Sequence, residues 1–260
     1  MRGRAIRLSR PRRLIIDVLH FAAAIPTVPV QRQMCLAELV AARAACRNRP
    51  RWTAIFAKGY ALVAREFPVL RRAYLEIPWP HLYEYPVSNA YIVVERKFRG
   101  ETCLFSTVIE DPGSCPLDEL GELLAHAWTA RIGQIREFRL ALKFGFLPRP
   151  LRRLILWHLL NIASLRAKYF GTFAISVYSA FYAESLHPIL PITTLNYGVI
   201  GSDGTVNVRI IYDHRVMDGA TVARALARLE VILTTVVADE LKLMSVKASA
   251  QLNRGQYSES

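Results

Sequence analysis

From Thr205 to Tyr212 polar and apolar residues alternate, and the alternation stops at Asp213-His214. A period of two marks a strand with one face turned to a core. In the next stretch, Ala220 to Val237, the apolar positions Val222, Leu226, Leu229, Leu233 and Val236 recur at helical spacing. That stripe predicts a helix packed on the same core. Tyr91 to Phe98 and Thr102 to Ile109 are rich in β-branched and aromatic residues and predict a hairpin about Arg99-Gly100. Tyr169 to Tyr178 and Thr194 to Gly201 read as further strands. Met34 to Arg47 is Ala-rich, and Trp52 to Phe67 carries Ile55, Phe56, Leu62 and Val63 at helical spacing. Leu117 to Ile135 opens with Asp118 and Glu119, where acids complement a helix dipole. Strands and helices interspersed in this way predict an α/β sandwich, a mixed sheet with packed helices.

At 260 residues and 52% hydrophobic, the chain is long and apolar enough to bury a substantial core. No repeat of 20–50 residues is apparent. The expectation is one domain over residues 1–241 and a polar C-terminal tail over 242–260. Cys35, Cys46, Cys103 and Cys115 lack a Cys-x-x-Cys spacing, which points to buried thiols in a reducing compartment and away from a disulfide frame or zinc site. The Arg-bearing N-terminus has no clean apolar segment before a cleavage site, so no signal peptide is expected. Val18 to Val30 is broken by His20, Pro26 and Pro29, and is too short to span a bilayer.

The densest chemistry lies in Asp213-His214-Arg215-Val216-Met217-Asp218-Gly219. His214 falls where a strand ends and a turn begins, so its side chain can reach a cleft from a rigid support. Asp218 is close enough in sequence to brace that turn, and Gly219 offers permissive backbone torsions before the helix. A neutral imidazole near its pKa suits a general base at pH 7.

Asp-His-Arg-Val-x-Asp-Gly-Ala resembles the hallmark of the acyltransferase core of 2-oxoacid dehydrogenase complexes (dihydrolipoamide acyltransferase), a relative of chloramphenicol acetyltransferase. Gly171-Thr172-Phe173-Ala174-Ile175-Ser176 is similar to that family's Gly-Thr-Phe-Thr-Ile-Ser strand, and Leu195 to Gly201 takes the place of its Ile-Leu-Gly-Val-Gly strand. Arg99-Gly100 with Val108-Ile109-Glu110-Asp111 resembles its hairpin, and Glu66-Phe67-Pro68-Val69-Leu70 its Glu-Phe-Pro-x-Leu helix end. The resemblance spans about Arg10 to Leu241. It implies the chloramphenicol-acetyltransferase-like fold, with His214 as general base and Ser176 as hydroxyl donor to the oxyanion. It also implies that Asp218 holds the His turn by an ion pair to an N-terminal arginine, Arg12 or Arg13. The acyl donor would be acyl-CoA or an acyl carrier protein, with no bound cofactor. The acceptor would be a hydroxyl, amine or thiol. Family cores share each active site across a homotrimer interface. No lipoyl domain precedes the core-like region, so a stand-alone acyltransferase is expected; the alternative is a non-catalytic core that keeps the fold to bind partners. Val177-Tyr178-Ser179 departs from the family's Asn-Leu-Gly, which bears on the acceptor.

A second departure is the interval Phe138 to Phe170, longer than in the family. It holds Arg139, Lys143, Arg149, Arg152, Arg153, Arg166 and Lys168 and no acid. Residues 1–13 add six arginines, again without an acid, toward a net charge of +13. Arginine interleaved with Leu, Ile and Trp suits an anionic membrane surface, whereas no nucleic-acid-binding motif accompanies it. A helix here is expected to carry Leu151, Leu154, Ile155, His158 and Leu159 on one face. The resulting expectation is a cytoplasmic enzyme, with a peripheral position at the inner membrane face and a lipidic acceptor as the further option.

Overall fold

The computed structural model describes residues 3–5, 7–176 and 193–256. Its strands in chain order are β1 (Thr27–Cys35), β2 (Arg72–Leu75), β3 (His81–Glu84), β4 (Ala90–Phe98), β5 (Glu101–Ile109), β6 (Phe173–Ile175), β7 (Thr193–Tyr197) and β8 (Thr205–Asp213). Its helices are α1 (Arg10–Ala22), α2 (Ala37–Ala45), α3 (Trp52–Glu66), α4 (Leu117–Thr129), α5 (Arg136–Phe144), α6 (Arg149–Asn161), α7 (Ala163–Phe170), α8 (Gly219–Ile232) and α9 (Ala238–Gln256). Among the described residues, six strands form one mixed sheet in the order β1-β8-β7-β6-β4-β5, and β2 pairs with β3 apart from it. The expected mixed sheet with packed helices is therefore present.

The hairpin β4–β5 closes on Arg99 and Gly100, both with positive φ (53° and 81°), the torsions that match a two-residue connection to the strand twist. Helix α3 lies across the sheet. Its Phe56 stacks on Tyr197 and its Tyr60 on Phe173, each with ring centroids 4.2 Å apart. One polar group is carried into this layer: Lys58 Nζ donates to Cys115 O and to Glu240 Oε1, both at 2.8 Å. The same carboxylate accepts the Leu117 N–H at 2.9 Å, so α9 also caps α4.

Several boundaries differ from the sequence reading. Thr27–Cys35 is a strand and α2 starts only at Ala37; Pro29 is tolerated because β1 pairs on one side only, at the sheet edge. Helix α7 runs to Phe170 and confines β6 to Phe173–Ile175; the expected strand end at 177–178 lies outside the described residues. Helix α9 carries residues 242–256 of the polar C-terminal stretch, with Leu241 buried and Met244 packed on the core.

The basic interval is three packed helices, α5 to α7. Asp17 of α1 is fully buried and faces Arg152 (2.6 Å), Arg153 (3.3 Å) and Arg149 (4.0 Å). Leu156, one turn after Arg152, packs with Ala22 and Phe170. Arg152 and Arg153 are thus spent on Asp17 and are not free for a membrane. The expected apolar stripe also splits: Leu151, Leu154, Trp157 and His158 face outward, while Ile155 and Leu159 are half-buried. Arg152 and Leu156 form the inward face of α6.

Replacing Asp17 by Asn leaves a buried guanidinium without its countercharge and should cost about 3–5 kcal/mol in urea unfolding; a loss under about 1 kcal/mol would mean the cluster is not what holds α6. Burial pushes the Tyr197 and Tyr85 hydroxyls up to about 12. In the unfolded chain they ionise near 10, so between pH 10 and 12 the folded state keeps protons that the unfolded state has lost. Stability should fall as pH rises through that window, by roughly 2 kcal/mol per tyrosine at pH 12. Urea midpoints at successive pH values check this, and Tyr197→Phe should flatten the decline.

Candidate active site

Strand β8 delivers Asp213 to the end of the sheet with its carboxylate buried. Arg215 folds back on it: Nε donates to Oδ1 at 3.0 Å, Nη2 to Oδ2 at 2.7 Å, and the backbone N–H to Oδ1 at 3.0 Å. Hydrogen bonding to Asp213 holds the Arg215 pKa above its usual range. The same guanidinium sits 4.3 Å from the Tyr74 ring centroid, a cation–π contact. Beneath lies Arg166 of α7, whose Nη1 donates to Tyr74 O at 3.2 Å. Burial lowers the Arg166 pKa, while Tyr85 and Asp213 oppose that fall. Arg166 thus holds the backbone of Tyr74, whose ring faces Arg215, a link with no signal in the local sequence.

His214 is the residue presented by this turn. Its backbone N–H donates to Pro26 O at 3.0 Å, which ties it to the segment between α1 and β1. The ring packs near Tyr212, centroids 5.8 Å apart, and the side chain stays about 50% exposed. Asp218 Oδ1 lies 3.9 Å from His214 Nδ1, and the Asp218 side chain is 83% exposed. That distance is beyond a hydrogen bond. Asp218 is the N-cap residue of α8 by backbone position, yet its side chain makes no capping bond. It does not brace the turn; Asp213 and Arg215 do. Gly219 also differs from expectation. It shows no positive φ, and a Cβ there would lie 3.2 Å from the buried Tyr212 hydroxyl. Close packing, not torsional freedom, is the local demand.

Arg12 and Arg13 do not reach Asp218. Both sit near the start of α1, where Arg13 Nε donates to Leu8 O at 3.3 Å. The end of α1 adjoins Pro26 and the His214 turn, and the ten residues from Arg12 to Ala22 span about 15 Å of helix. Among the described residues neither arginine lies within ion-pair distance of Asp218.

Ser176 is buried at the C-terminal end of β6. The ladder fixes its relation to His214. Ile175 pairs with Leu195 in parallel, and Leu195 pairs with Ile210 in antiparallel. Ser176 therefore continues toward Arg209, while His214 lies five residues farther the other way. The two are separated by about 17 Å along the strands and about 10 Å across two strand spacings. One chain does not bring them together. A cleft of about 560 Å³ lined by Glu110, Cys115, Glu119 and His126 includes neither residue. Among the described residues no group of three His, Cys, Asp or Glu side chains is arranged to hold a metal ion.

No protein-family model matches the chain, and no curated protein is similar to it in sequence. Solved structures match it in fold. A probable dihydrolipoamide acetyltransferase from Listeria monocytogenes superposes with a TM-score of 0.65 at 16% identity, over 89% of this chain and 94% of that one. The dihydrolipoamide acetyltransferase of Azotobacter vinelandii gives 0.64 at 17% identity, over 91% and 93%. A serine, a histidine and an asparagine four residues after it were investigated there for their roles in the catalytic mechanism. A chloramphenicol acetyltransferase gives 0.51 at 14% identity, over 87% and 96%. From its sheet order to its packed helices, the chain has the chloramphenicol-acetyltransferase-like fold that these dihydrolipoamide acyltransferase cores share.

Proposed function

We propose that the protein is an acyltransferase in which residues 1–241 act as one catalytic domain, with 138–170 an added helical layer. The observation that carries this reading is His214 itself: a half-exposed imidazole on a turn pinned by a buried, doubly hydrogen-bonded Asp213–Arg215 pair. The nucleophilic oxygen, nitrogen or sulfur of the acceptor attacks the thioester carbon of acyl-CoA, or of an acylated carrier protein. His214 takes its proton. Asp218, 3.9 Å from Nδ1, offsets the imidazolium charge that follows. The new bond forms, the C–S bond breaks, and the proton passes to the departing thiolate. No covalent enzyme intermediate is needed, because the acceptor is the nucleophile. Ser176 Oγ donates to the tetrahedral oxyanion, a contribution of about 3–4 kcal/mol.

The sheet register supports a site shared between copies. His214 and Ser176 leave the sheet at opposite ends, so a complete pair requires one from each of two subunits, as in a cyclic homotrimer. His214→Ala should lower the rate by roughly two to four decades with the fold intact. His214→Ala and Ser176→Ala proteins, each inactive, should regain part of the activity when mixed with subunit exchange. A folded His214→Ala protein with undiminished transfer would remove the assignment, and full activity in a strict monomer would exclude the shared site.

The outward face of α6 favours a lipidic acceptor taken at a membrane surface. Leu151, Leu154 and Trp157 are 42%, 54% and 40% exposed, an apolar face suited to the headgroup boundary. Among the described residues no helix is long and apolar enough to cross a membrane, so binding would be peripheral, in a cytoplasmic protein at the inner membrane face. Flotation with anionic vesicles should recover the wild type at low salt and not Leu154→Asp with Trp157→Asp. Equal flotation of both would remove the membrane reading and leave acyl transfer untouched.

A further inference from the structure

Four arginines converge where the start of α1 meets the tip of the β4–β5 hairpin. A cavity of about 540 Å³ there is lined by Arg7, Arg10, Arg13 and Arg99, together with Ser9, Phe98 and Phe146. Glu101 is the single carboxylate in the lining, and it accepts a hydrogen bond from Ser9 Oγ at 3.0 Å. None of the four guanidinium groups lies within ion-pair distance of a carboxylate among the described residues. The first turn of α1, which forms one wall, carries no acid.

The walls are built closely. Arg10 Cζ stacks 3.3 Å from the Phe146 ring centroid. Gly145 permits this approach, since a Cβ there would meet Arg10 Cβ at 2.8 Å. The Phe98 ring stands beneath Arg99, 5.4 Å away. Stacking of this kind orients a planar guanidinium while leaving its N–H fork open to an anion. Holding four like charges around one cavity against a single carboxylate is unfavourable unless solvent or a ligand offsets it. A tetrahedral, doubly charged oxyanion matches both the excess charge and the fork geometry better than a single carboxylate does.

We propose that this cavity binds a phosphate-bearing ligand, at a site separate from His214 and Ser176 and independent of the acyl-transfer reading. The volume exceeds that of one phosphate, so a diphosphate or a phosphate with part of its carrier fits. The phosphate has two possible sources, a soluble phosphate compound or the headgroup of an anionic lipid. Leu8 and Phe146, 51% and 61% exposed, are the apolar residues that a bilayer would meet beside the arginines.

The test uses the full chain with inorganic pyrophosphate in calorimetry, and separately with vesicles of phosphatidylcholine alone or with phosphatidic acid in sedimentation. Arg7→Gln with Arg99→Gln removes two exposed arginines of the lining. Arg47→Gln with Arg49→Gln removes the same charge from the loop after α2, away from the cavity. Pyrophosphate should bind the wild type and the loop variant alike, and the cavity variant at least about tenfold more weakly. The same ranking with phosphatidic acid vesicles and not with pyrophosphate supports the site and assigns it to a lipid headgroup. Binding of neither probe overturns the proposal, as does an equal loss in the two double variants, which would reduce the effect to general surface charge.

Discussion

Strand β7 sets the geometry of everything near it, because it runs parallel to β6 and antiparallel to β8. Ile175, Leu195 and Ile210 share a row across those three strands. From that row β6 leaves in one direction toward Ser176, and β8 leaves in the other toward His214. Side-chain rotation cannot close a separation of two strand spacings and five residues of rise. Within one chain the two groups therefore stay apart. The buried middle of the sheet, with Tyr60 and Phe56 of α3 stacked on it, keeps the two ends at fixed separation.

Rigidity at the His214 end comes from charge placed under the turn. Asp213 would be costly to bury alone; with Arg215 forked onto it the cost is largely offset. Such a pair adds little net stability. Its value is directional, because three hydrogen bonds and the Tyr74 face fix where the backbone of residues 213–215 lies. Asp218 by contrast stands in solvent beside His214.

The period-two run ending at Asp213 made β8 legible, and the stripe Val222-Leu226-Leu229 made α8 legible, because each element buries one face against a single core. The hairpin was legible from Arg99-Gly100. Strand β1 was harder: Thr27–Cys35 is an edge strand with mostly exposed side chains, so its pattern carries little burial signal. His214 was readable from its motif. The supports of His214 were not, since Arg166 and Tyr74 are 48 and 140 residues from it in sequence and meet it only through tertiary packing. The arginines of α6 misled for a related reason: Asp17, the acid that neutralises them, belongs to the other end of the chain.

Asp17 and Arg152 are 135 residues apart in sequence. At ribosomal speeds of about 5–20 residues per second, α1 waits roughly 7–27 s before its countercharges exist. Over that interval Val18, Phe21 and Ala22 have neither Leu156 nor Phe170 to cover them. Helix α1 therefore finds Tyr91 and Phe144 of its apolar cluster first, and gains its charge partners together with Leu156 and Phe170 only later.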